Sequence, residues 1–262
     1  MSLKHKHIVI TGASGGIGAK MAELCAEQGA RLVLLARTVS KLEQMKADWE
    51  AKYGAIISVF ALDVSDTDQV QAVFEQIHKD IGHVDILVNN AGFGVFRHAH
   101  EVPMDEVKSM FAVNVFGLIS CTNAVLPGMR ARRSGQIINI ASQAGKIATP
   151  KSSVYSATKH AVLGFTNSLR MEVADSGIHV TAVNPGPIAT DFFATADTEG
   201  TYVKNVQRYM LKPEYVGQRV VAAMERPVRE INLPGWMNLG SKIFALFPGL
   251  FEKAGRRAFN KK

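Results

Sequence analysis

Short runs of apolar, mostly β-branched residues alternate along this chain with longer segments of helical periodicity. Such alternation predicts parallel strands joined by crossover helices, because a tight turn cannot connect two parallel strands. The strand-like runs are residues 7–11, 31–35, 56–62, 84–88, 136–140, 179–183 and 229–233. The helical segments are residues 17–28, 39–53, 67–81, 104–130, 153–175 and 213–224. The sequence therefore predicts an α/β fold with a doubly wound, parallel, seven-stranded sheet.

Composition and length favour one folded unit with a large core. The chain has 262 residues, of which 47% are hydrophobic and 20% charged, as in ordinary globular proteins. Cys25 and Cys121 lie inside apolar helical patterns, which is typical of buried thiols.

No apolar run reaches the roughly 18 residues of a membrane span, and the N-terminal run is too short for a signal peptide. We therefore expect a cytoplasmic protein. We expect a single domain, with a Rossmann-like part over residues 1–235 and a C-terminal extension of the same domain over residues 236–262.

The positive charge of the chain is concentrated in this extension. Residues 242–262 hold six Lys or Arg and one Glu, a net charge of +5 out of +7 for the whole chain. A nucleic-acid partner is not expected, because such proteins carry a broad basic stripe interleaved with aromatic residues. Three interpretations of the extension remain open: a cap on the protein's own pocket, a subunit contact, or a membrane-surface contact of a basic and aromatic segment with anionic lipid. The aromatic and leucine residues in question are Trp236, Phe244, Leu246, Phe247, Leu250, Phe251 and Phe259.

A glycine-rich turn, TGASGGIG at residues 11–18, lies between the first predicted strand and the first predicted helix. Glycines there permit a tight turn and a close approach of the backbone to a pyrophosphate, which the positive end of the helix dipole stabilises. This context predicts a dinucleotide cradle and a Rossmann-like fold. The cofactor contacts expected from it are Gly12, Ser14, Gly16, Ile17 and Gly18.

The end of the second strand predicts which dinucleotide is bound. A carboxylate at this position would bond the ribose 2′-hydroxyl of NAD, but the chain has Ala36 and Arg37. A guanidinium can pair with a 2′-phosphate instead, so the sequence favours NADP(H), with Lys41 assisting.

Two further strand ends carry candidate cofactor contacts. Asp63, followed by Val64, could bond the adenine edge or serve a turn or helix cap, although Ser65 or Asp66 could cap the next helix instead. After the fourth strand, side-chain amides can stabilise the sheet end while small residues leave room for the cofactor. The residues there are Asn90, Ala91 and Gly92.

Tyr155 and Lys159 are four residues apart in a helical pattern and therefore project from one face. A nearby ammonium lowers the cost of forming a phenolate, so we expect the pKa of Tyr155 to move toward neutrality. Ser142 follows the fifth strand, where a hydroxyl can bond a substrate oxygen at the carboxyl end of the sheet. These residue types predict acid–base chemistry on a small molecule.

The order and spacing of TGASGGIG, NNAG at residues 89–92, Asn114, Ser142, Tyr155-x-x-x-Lys159 and Pro185-Gly186 resemble the short-chain dehydrogenase/reductase superfamily over about residues 5–190. The resemblance implies that Tyr155 donates or accepts a proton, Ser142 orients the carbonyl, Lys159 holds the nicotinamide ribose and tunes Tyr155, and Asn114 supports a water relay. It also implies a homodimer or homotetramer built on the helices of Asn114 and Tyr155. The residues expected beside the nicotinamide are Pro185, Gly186, Ile188 and Thr190.

The segment after the sixth strand, residues 187–212, is expected to act as a lid. Its apolar residues either contact an apolar substrate or pack the lid onto the body; they are Phe192, Phe193, Tyr202, Val203, Tyr209, Met210 and Leu211. His98, His100 and Glu101 lack a third spaced ligand, so we expect no metal.

The predicted function is an NADP(H)-dependent oxidoreductase acting on a carbonyl or secondary alcohol of an apolar small molecule. A 3-ketoacyl-thioester reductase and a non-catalytic dinucleotide-binding scaffold are the alternatives. The substrate, the physiological direction and the choice between dimer and tetramer stay open.

Overall fold

The computed structural model describes residues 2–197, 200–249 and 251–253. Seven parallel strands form one sheet in the order β3-β2-β1-β4-β5-β6-β7, which confirms the doubly wound fold. The chain reverses its direction of travel across the sheet between β1 and β4, and ligands bind beside the carboxyl ends of the strands at such a point. The strands are β1 (His7–Thr11), β2 (Arg31–Ala36), β3 (Ile56–Ala61), β4 (Ile86–Asn89), β5 (Gly135–Ile140), β6 (Ile178–Pro185) and β7 (Glu230–Leu233).

Helices cover both faces of this sheet. A π-helical segment, Ala112–Gly117, joins α4 to α5, where the sequence predicts an uninterrupted helix. Two short helices, α7 and α8, lie inside the predicted lid. The helices are α1 (Gly16–Glu27), α2 (Val39–Tyr53), α3 (Thr67–Ile81), α4 (Met104–Phe111), α5 (Leu118–Arg132), α6 (Ser153–Glu172), α7 (Phe192–Ala196), α8 (Thr201–Val206), α9 (Pro213–Glu225) and α10 (Gly235–Leu246).

The strands are apolar at nearly every position because both faces of the sheet are buried. In β1, Ile8 and Ile10 join the core cluster beneath α1 and α9, while Val9 joins the cluster beneath α3 and α5. This alternation follows from the two-residue period of a strand. Cys25 and Cys121 are fully buried on opposite faces, and burial raises the pKa of each thiol to about 12. Their predicted burial is confirmed.

The continuous helix Met104–Arg132 is long and apolar enough to cross a membrane by length and composition. The expectation that no segment reaches this threshold was wrong. Cys121, Val125 and Met129 of this helix are buried against the sheet, and packing of this kind accounts for apolar residues in a core helix.

The C-terminal extension begins with α10, which follows β7 directly. Residues 251–253 are also helical. Leu250, Phe259 and the basic residues of positions 256–262 lie outside the described residues. The assignment of residues 236–262 as an extension of the same domain stays a prediction.

Candidate active site

The glycine-rich turn brings two backbones into contact at the carboxyl end of β1. Gly12 has a positive φ of 62°, and a Cβ on it would lie 2.9 Å from the Ala91 Cα. A Cβ on Gly18 would overlap the carbonyl oxygen of Gly12. Only glycine fits this packing, which leaves the first turn of α1, beginning at Gly16, open to a ligand.

Asn90 fixes this turn to the end of β4. Its Nδ2 donates to the carbonyl oxygens of Thr11 at 2.9 Å and of Gly12 at 3.0 Å. The Thr11 hydroxyl in turn accepts from the backbone N–H groups of Asn90 and Ala91, each at 3.0 Å. The predicted role of an amide at this sheet end agrees with these bonds.

A cavity of ≈ 730 Å³ opens at the carboxyl ends of the strands and extends from the glycine turn to the lid. Most of the predicted site residues line it: Gly12, Ser14, Gly16, Ile17, Arg37, Asn90, Ala91, Gly92, Ser142, Tyr155, Lys159, Pro185, Gly186, Ile188 and Thr190. The predicted site residues that do not line it are Gly18, Lys41, Asp63, Val64 and Asn114.

Asp63 occupies a turn rather than the cavity wall. Its Oδ1 accepts hydrogen bonds from the backbone N–H of Ser65 at 3.0 Å and from the Ser65 hydroxyl at 2.7 Å. Burial opposes ionisation of Asp63, but these bonds hold its pKa below the usual value. Asp66 caps α3 by accepting from two backbone N–H groups. The turn bonds of Asp63 are thus present, and its contact with the adenine edge stays a prediction. Lys41 is exposed on α2 and Val64 is buried in the core.

Tyr155 and Lys159 project from α6 toward the ends of β4 and β5. The Lys159 Nζ lies 5.8 Å from the centroid of the Tyr155 ring and donates to the carbonyl oxygen of Ile140 at 2.9 Å. Ser142, directly after β5, interacts with the Tyr155 phenol and accepts from the backbone N–H of Ala144 at 3.0 Å. The three side chains predicted to cooperate therefore meet at one end of the cavity.

Burial shifts the two titratable groups in opposite directions. Tyr155 and Lys159 are only 8% and 5% exposed. Burial raises the pKa of Tyr155 to about 12, and the Ser142 hydroxyl offsets only part of this rise. Burial also lowers the pKa of Lys159 to about 8. The expected shift of the Tyr155 pKa toward neutrality is therefore not seen in the protein alone, because burial is the largest cause of the shift and raises this pKa.

Asn114 lies behind the cavity wall, in the π-helical segment. Its Nδ2 donates to the Phe93 carbonyl oxygen at 2.8 Å and to the Thr158 hydroxyl at 3.1 Å, and its Oδ1 accepts from the Phe93 N–H at 3.0 Å. A Cβ on Gly92 would lie 3.0 Å from the Asn114 Oδ1 and 3.6 Å from the Lys159 Nζ. Asn114 thus fixes the loop after β4 against α6.

Aromatic rings line the part of the cavity next to Tyr155. The ring of Phe96 lies 5.8 Å from Tyr155, 6.2 Å from Phe193 and 4.9 Å from Tyr202, between centroids. Phe192 contacts the Tyr155 ring at 5.7 Å. The sequence interpretation missed Phe96, because its only signal is a position close after the NNAG turn.

The lid residues divide between the two interpretations that the sequence left open. Phe192, Phe193 and Tyr202 line the cavity, whereas Val203, Tyr209, Met210 and Leu211 do not. Leu211 pairs with Ile188 along the backbone, and the Tyr209 ring packs 5.9 Å from Trp236. Helix α10 also reaches the cavity, which Trp236, Met237 and Gly240 line.

Gln143 was also missed by the sequence interpretation. It lines the cavity directly after Ser142 and is 7% exposed. Its Nε2 donates to the Asn184 carbonyl oxygen at 2.9 Å, while its Oε1 has no hydrogen-bond partner among the described residues. A buried acceptor in this position can receive a bond from a ligand.

The histidines after the NNAG turn are exposed, and the Glu101 carboxylate accepts from the backbone N–H of His98 at 3.1 Å. In the described ranges, the group with metal-ligand spacing is His7, His83 and Asp85, whose ligand atoms lie within 4.8 Å of one another. It lies at the amino ends of the strands, away from the cavity. Asp85 there already accepts hydrogen bonds from Lys6 and from the His7 backbone.

Comparison with known proteins agrees with this geometry. A family model described as short chain dehydrogenase matches residues 6–200. The chain is 36% identical over 232 residues to an uncharacterized oxidoreductase of Staphylococcus saprophyticus, covering 86% of this chain and 92% of that one. It is 36% identical over 192 residues to an NADP-dependent 3-hydroxy acid dehydrogenase of Schizosaccharomyces pombe, covering 72% of this chain and 74% of the relative.

A solved structure extends the likeness to the whole fold. The short chain dehydrogenase/reductase of Burkholderia phymatum, in complex with NAD, superimposes with a TM-score of 0.87 at 25% identity, covering 95% of this chain and 96% of the other. The family match covers the glycine turn, the NNAG turn and the Ser142, Tyr155 and Lys159 group. This protein is an oxidoreductase that belongs to the short-chain dehydrogenase family.

Proposed function

We propose that this protein is an NADP(H)-dependent reductase that converts the carbonyl of an apolar small molecule into an alcohol. The observation that carries the proposal is the meeting of Ser142, Tyr155 and Lys159 in one cavity that also includes the glycine turn. A hydride acceptor bound beside these groups needs a proton on its oxygen, and the three side chains can deliver it.

Tyr155 is the proton donor in this proposal. Burial raises the pKa of Tyr155 to about 12, so its phenol is protonated at neutral pH and can act as the acid in a carbonyl reduction. The adjacent Ser142 hydroxyl orients the carbonyl oxygen by a hydrogen bond. The nicotinamide cofactor, when bound, supplies the hydride.

Lys159 supports Tyr155 in two ways. Its ammonium, with a pKa of about 8, is mainly charged at neutral pH, so it stabilises the phenolate that develops when Tyr155 releases its proton. In this proposal the same group also holds the nicotinamide ribose. Asn114 acts as a positioning residue, because its bonds fix the loop at Phe93 and the helix at Thr158; a water relay through it stays a proposal.

Arg37 supports the choice of NADP(H). It follows β2 and lines the cavity, and no carboxylate occupies positions 36–38. One charge-assisted hydrogen bond to a 2′-phosphate contributes about 1.5–3 kcal/mol. The yeast relative is named as NADP-dependent, whereas the Burkholderia structure holds NAD, so the assignment depends on Arg37 itself.

The aromatic part of the cavity supports an apolar substrate. The rings that contact one another and surround the Tyr155 ring are those of Phe96, Phe192, Phe193 and Tyr202. Cavity walls of this kind bind apolar or aromatic groups.

A homodimer or homotetramer is also part of the proposal. Phe116, between α4 and α5, is 56% exposed and offers an apolar contact for a second copy.

The test is NADPH oxidation by the wild type and by Tyr155→Phe with ketones and aldehydes graded in size, including a ketoacyl thioester. We expect the variant to lose about 10²–10⁴-fold in turnover with nearly unchanged NADPH affinity. Tyr215→Phe, an exposed tyrosine of α9 outside the cavity, is the matched control.

Retained turnover in Tyr155→Phe would remove the assigned acid. Preference for the thioester would identify a 3-ketoacyl-thioester reductase. NADPH binding without turnover of any of these compounds would favour the non-catalytic scaffold.

A further inference from the structure

Helix α10 carries an exposed apolar stripe. Trp236, Leu239, Ile243, Leu246 and the adjoining Phe247 are 59%, 62%, 45%, 72% and 60% exposed. With about 3.6 residues per turn, these positions project from one side of the helix. They are five of the twelve large hydrophobic side chains exposed in the described ranges, so this surface is unusual for the molecule.

The other side of α10 already anchors the helix to the protein. Ser241 is buried, and Met237 and Phe244 are half-buried. A Cβ on Gly186 would lie 2.7 Å from the Met237 Sδ, which shows how closely this side approaches the end of β6. The buried side anchors α10 without the stripe, and exposed apolar patches of this kind mark interaction surfaces.

The charge next to the stripe favours an anionic surface. Lys242 is exposed beside it, and residues 242–262 have a net charge of +5. An apolar face with tryptophan, phenylalanine and leucine, flanked by cations, is typical of helices that lie in the membrane interface.

We propose that the apolar stripe of α10, with Lys242 beside it, docks this protein on the surface of an anionic lipid bilayer. Anionic headgroups attract the cations, while the stripe enters the boundary between headgroups and acyl chains. Trp236 belongs both to the stripe and to the cavity wall. Docking therefore brings the cavity close to the bilayer, where apolar compounds dissolve; this last step rests on the proposed function, whereas docking itself does not.

The experiment is co-sedimentation of the full chain with phosphatidylcholine vesicles prepared with and without phosphatidylserine. We expect the wild type to bind the anionic vesicles more tightly, and salt to weaken this binding. Leu239→Glu/Leu246→Glu should reduce the partition coefficient about a hundredfold, since two leucines leave the apolar region. Neither leucine lines the cavity. Met171→Glu, an 80% exposed methionine of α6, is the matched control and should bind like the wild type.

Folding of each variant is checked by its thermal melt and by NADPH binding. Absence of wild-type binding to anionic vesicles would overturn the proposal, as would equal binding by the double leucine variant. A wild-type dimer that the same variant converts to monomers, with no binding to vesicles, would make the stripe a subunit contact. Co-sedimentation measures vesicle binding and does not depend on turnover. A result that refutes docking would therefore leave the reductase proposal intact.

Discussion

Replacing Lys159 by methionine tests whether the active-site lysine destabilises the folded protein. Burial lowers the pKa of Lys159 from 10.5 to about 8, and one pKa unit corresponds to about 1.4 kcal/mol. The charged lysine therefore costs the folded state about 3 kcal/mol at pH 7. The variant also loses the hydrogen bond from Lys159 to the Ile140 carbonyl oxygen, at 2.9 Å. This loss reduces the gain in stability by about 1 kcal/mol.

Lys159→Met should thus raise the free energy of unfolding by about 2 kcal/mol at pH 7. This gain in the free energy of unfolding decreases as the pH rises. Between the folded pKa of about 8 and the usual value of 10.5, the unfolded state binds more protons than the folded state, so wild-type stability rises with pH relative to the variant. The advantage of the variant should shrink across this window, and above it the wild type should be the more stable protein by about 1 kcal/mol, the contribution of the hydrogen bond that the variant lacks.

Urea unfolding at pH 7, 8.5 and 10 measures this difference directly. Lys79→Met, an exposed lysine of α3, removes the same formal charge and should show no comparable gain. A stability difference between wild type and Lys159→Met that stays constant with pH would refute the reasoning. So would a variant less stable than wild type at pH 7. The variant should also lose turnover, which separates stability from activity at this position.

Three further variants test the cavity. Arg37→Asp should shift the ratio of NADPH to NADH affinity toward NADH by about tenfold to a hundredfold, from steady-state KM values; an unchanged ratio removes Arg37 from cofactor selection. Gly18→Ala should weaken NADPH binding in a fluorescence titration, because the added Cβ overlaps the Gly12 carbonyl; wild-type affinity would contradict the close packing. Phe96→Ala should raise KM for a bulky apolar ketone about tenfold more than for a small aldehyde, and an equal rise would exclude Phe96 from substrate contact.

The parts of the fold that the sequence predicts best are those fixed by local signals. Helices α2 and α3 have the predicted bounds, because Gly54 and Gly82 follow their last residues with positive φ. The π-helical segment Ala112–Gly117 has no such signal. Asn114 there bonds Phe93 and Thr158, and contacts between distant segments override the periodicity of one helix.

The same distinction holds for the candidate site. The Tyr155 and Lys159 pair and the glycine turn are local patterns, and the structure brings both to one cavity. Phe96 and α10 reach that cavity through loops and crossovers, so their place depends on the assembled fold. The pKa of Tyr155 is likewise a property of the fold, since its rise is caused by burial.

The opposite shifts of Tyr155 and Lys159 bear on the direction of the reaction. In water a tyrosine, at 10.0, releases its proton slightly before a lysine, at 10.5, but here burial raises the first pKa to about 12 and lowers the second to about 8. Below pH 8 the pair therefore consists of a neutral phenol and an ammonium. A phenolate is then formed when the substrate oxygen takes the proton, and the ammonium stabilises it at that moment. This arrangement fits the carbonyl reduction that we propose, and the stabilisation of the phenolate declines once Lys159 loses its charge.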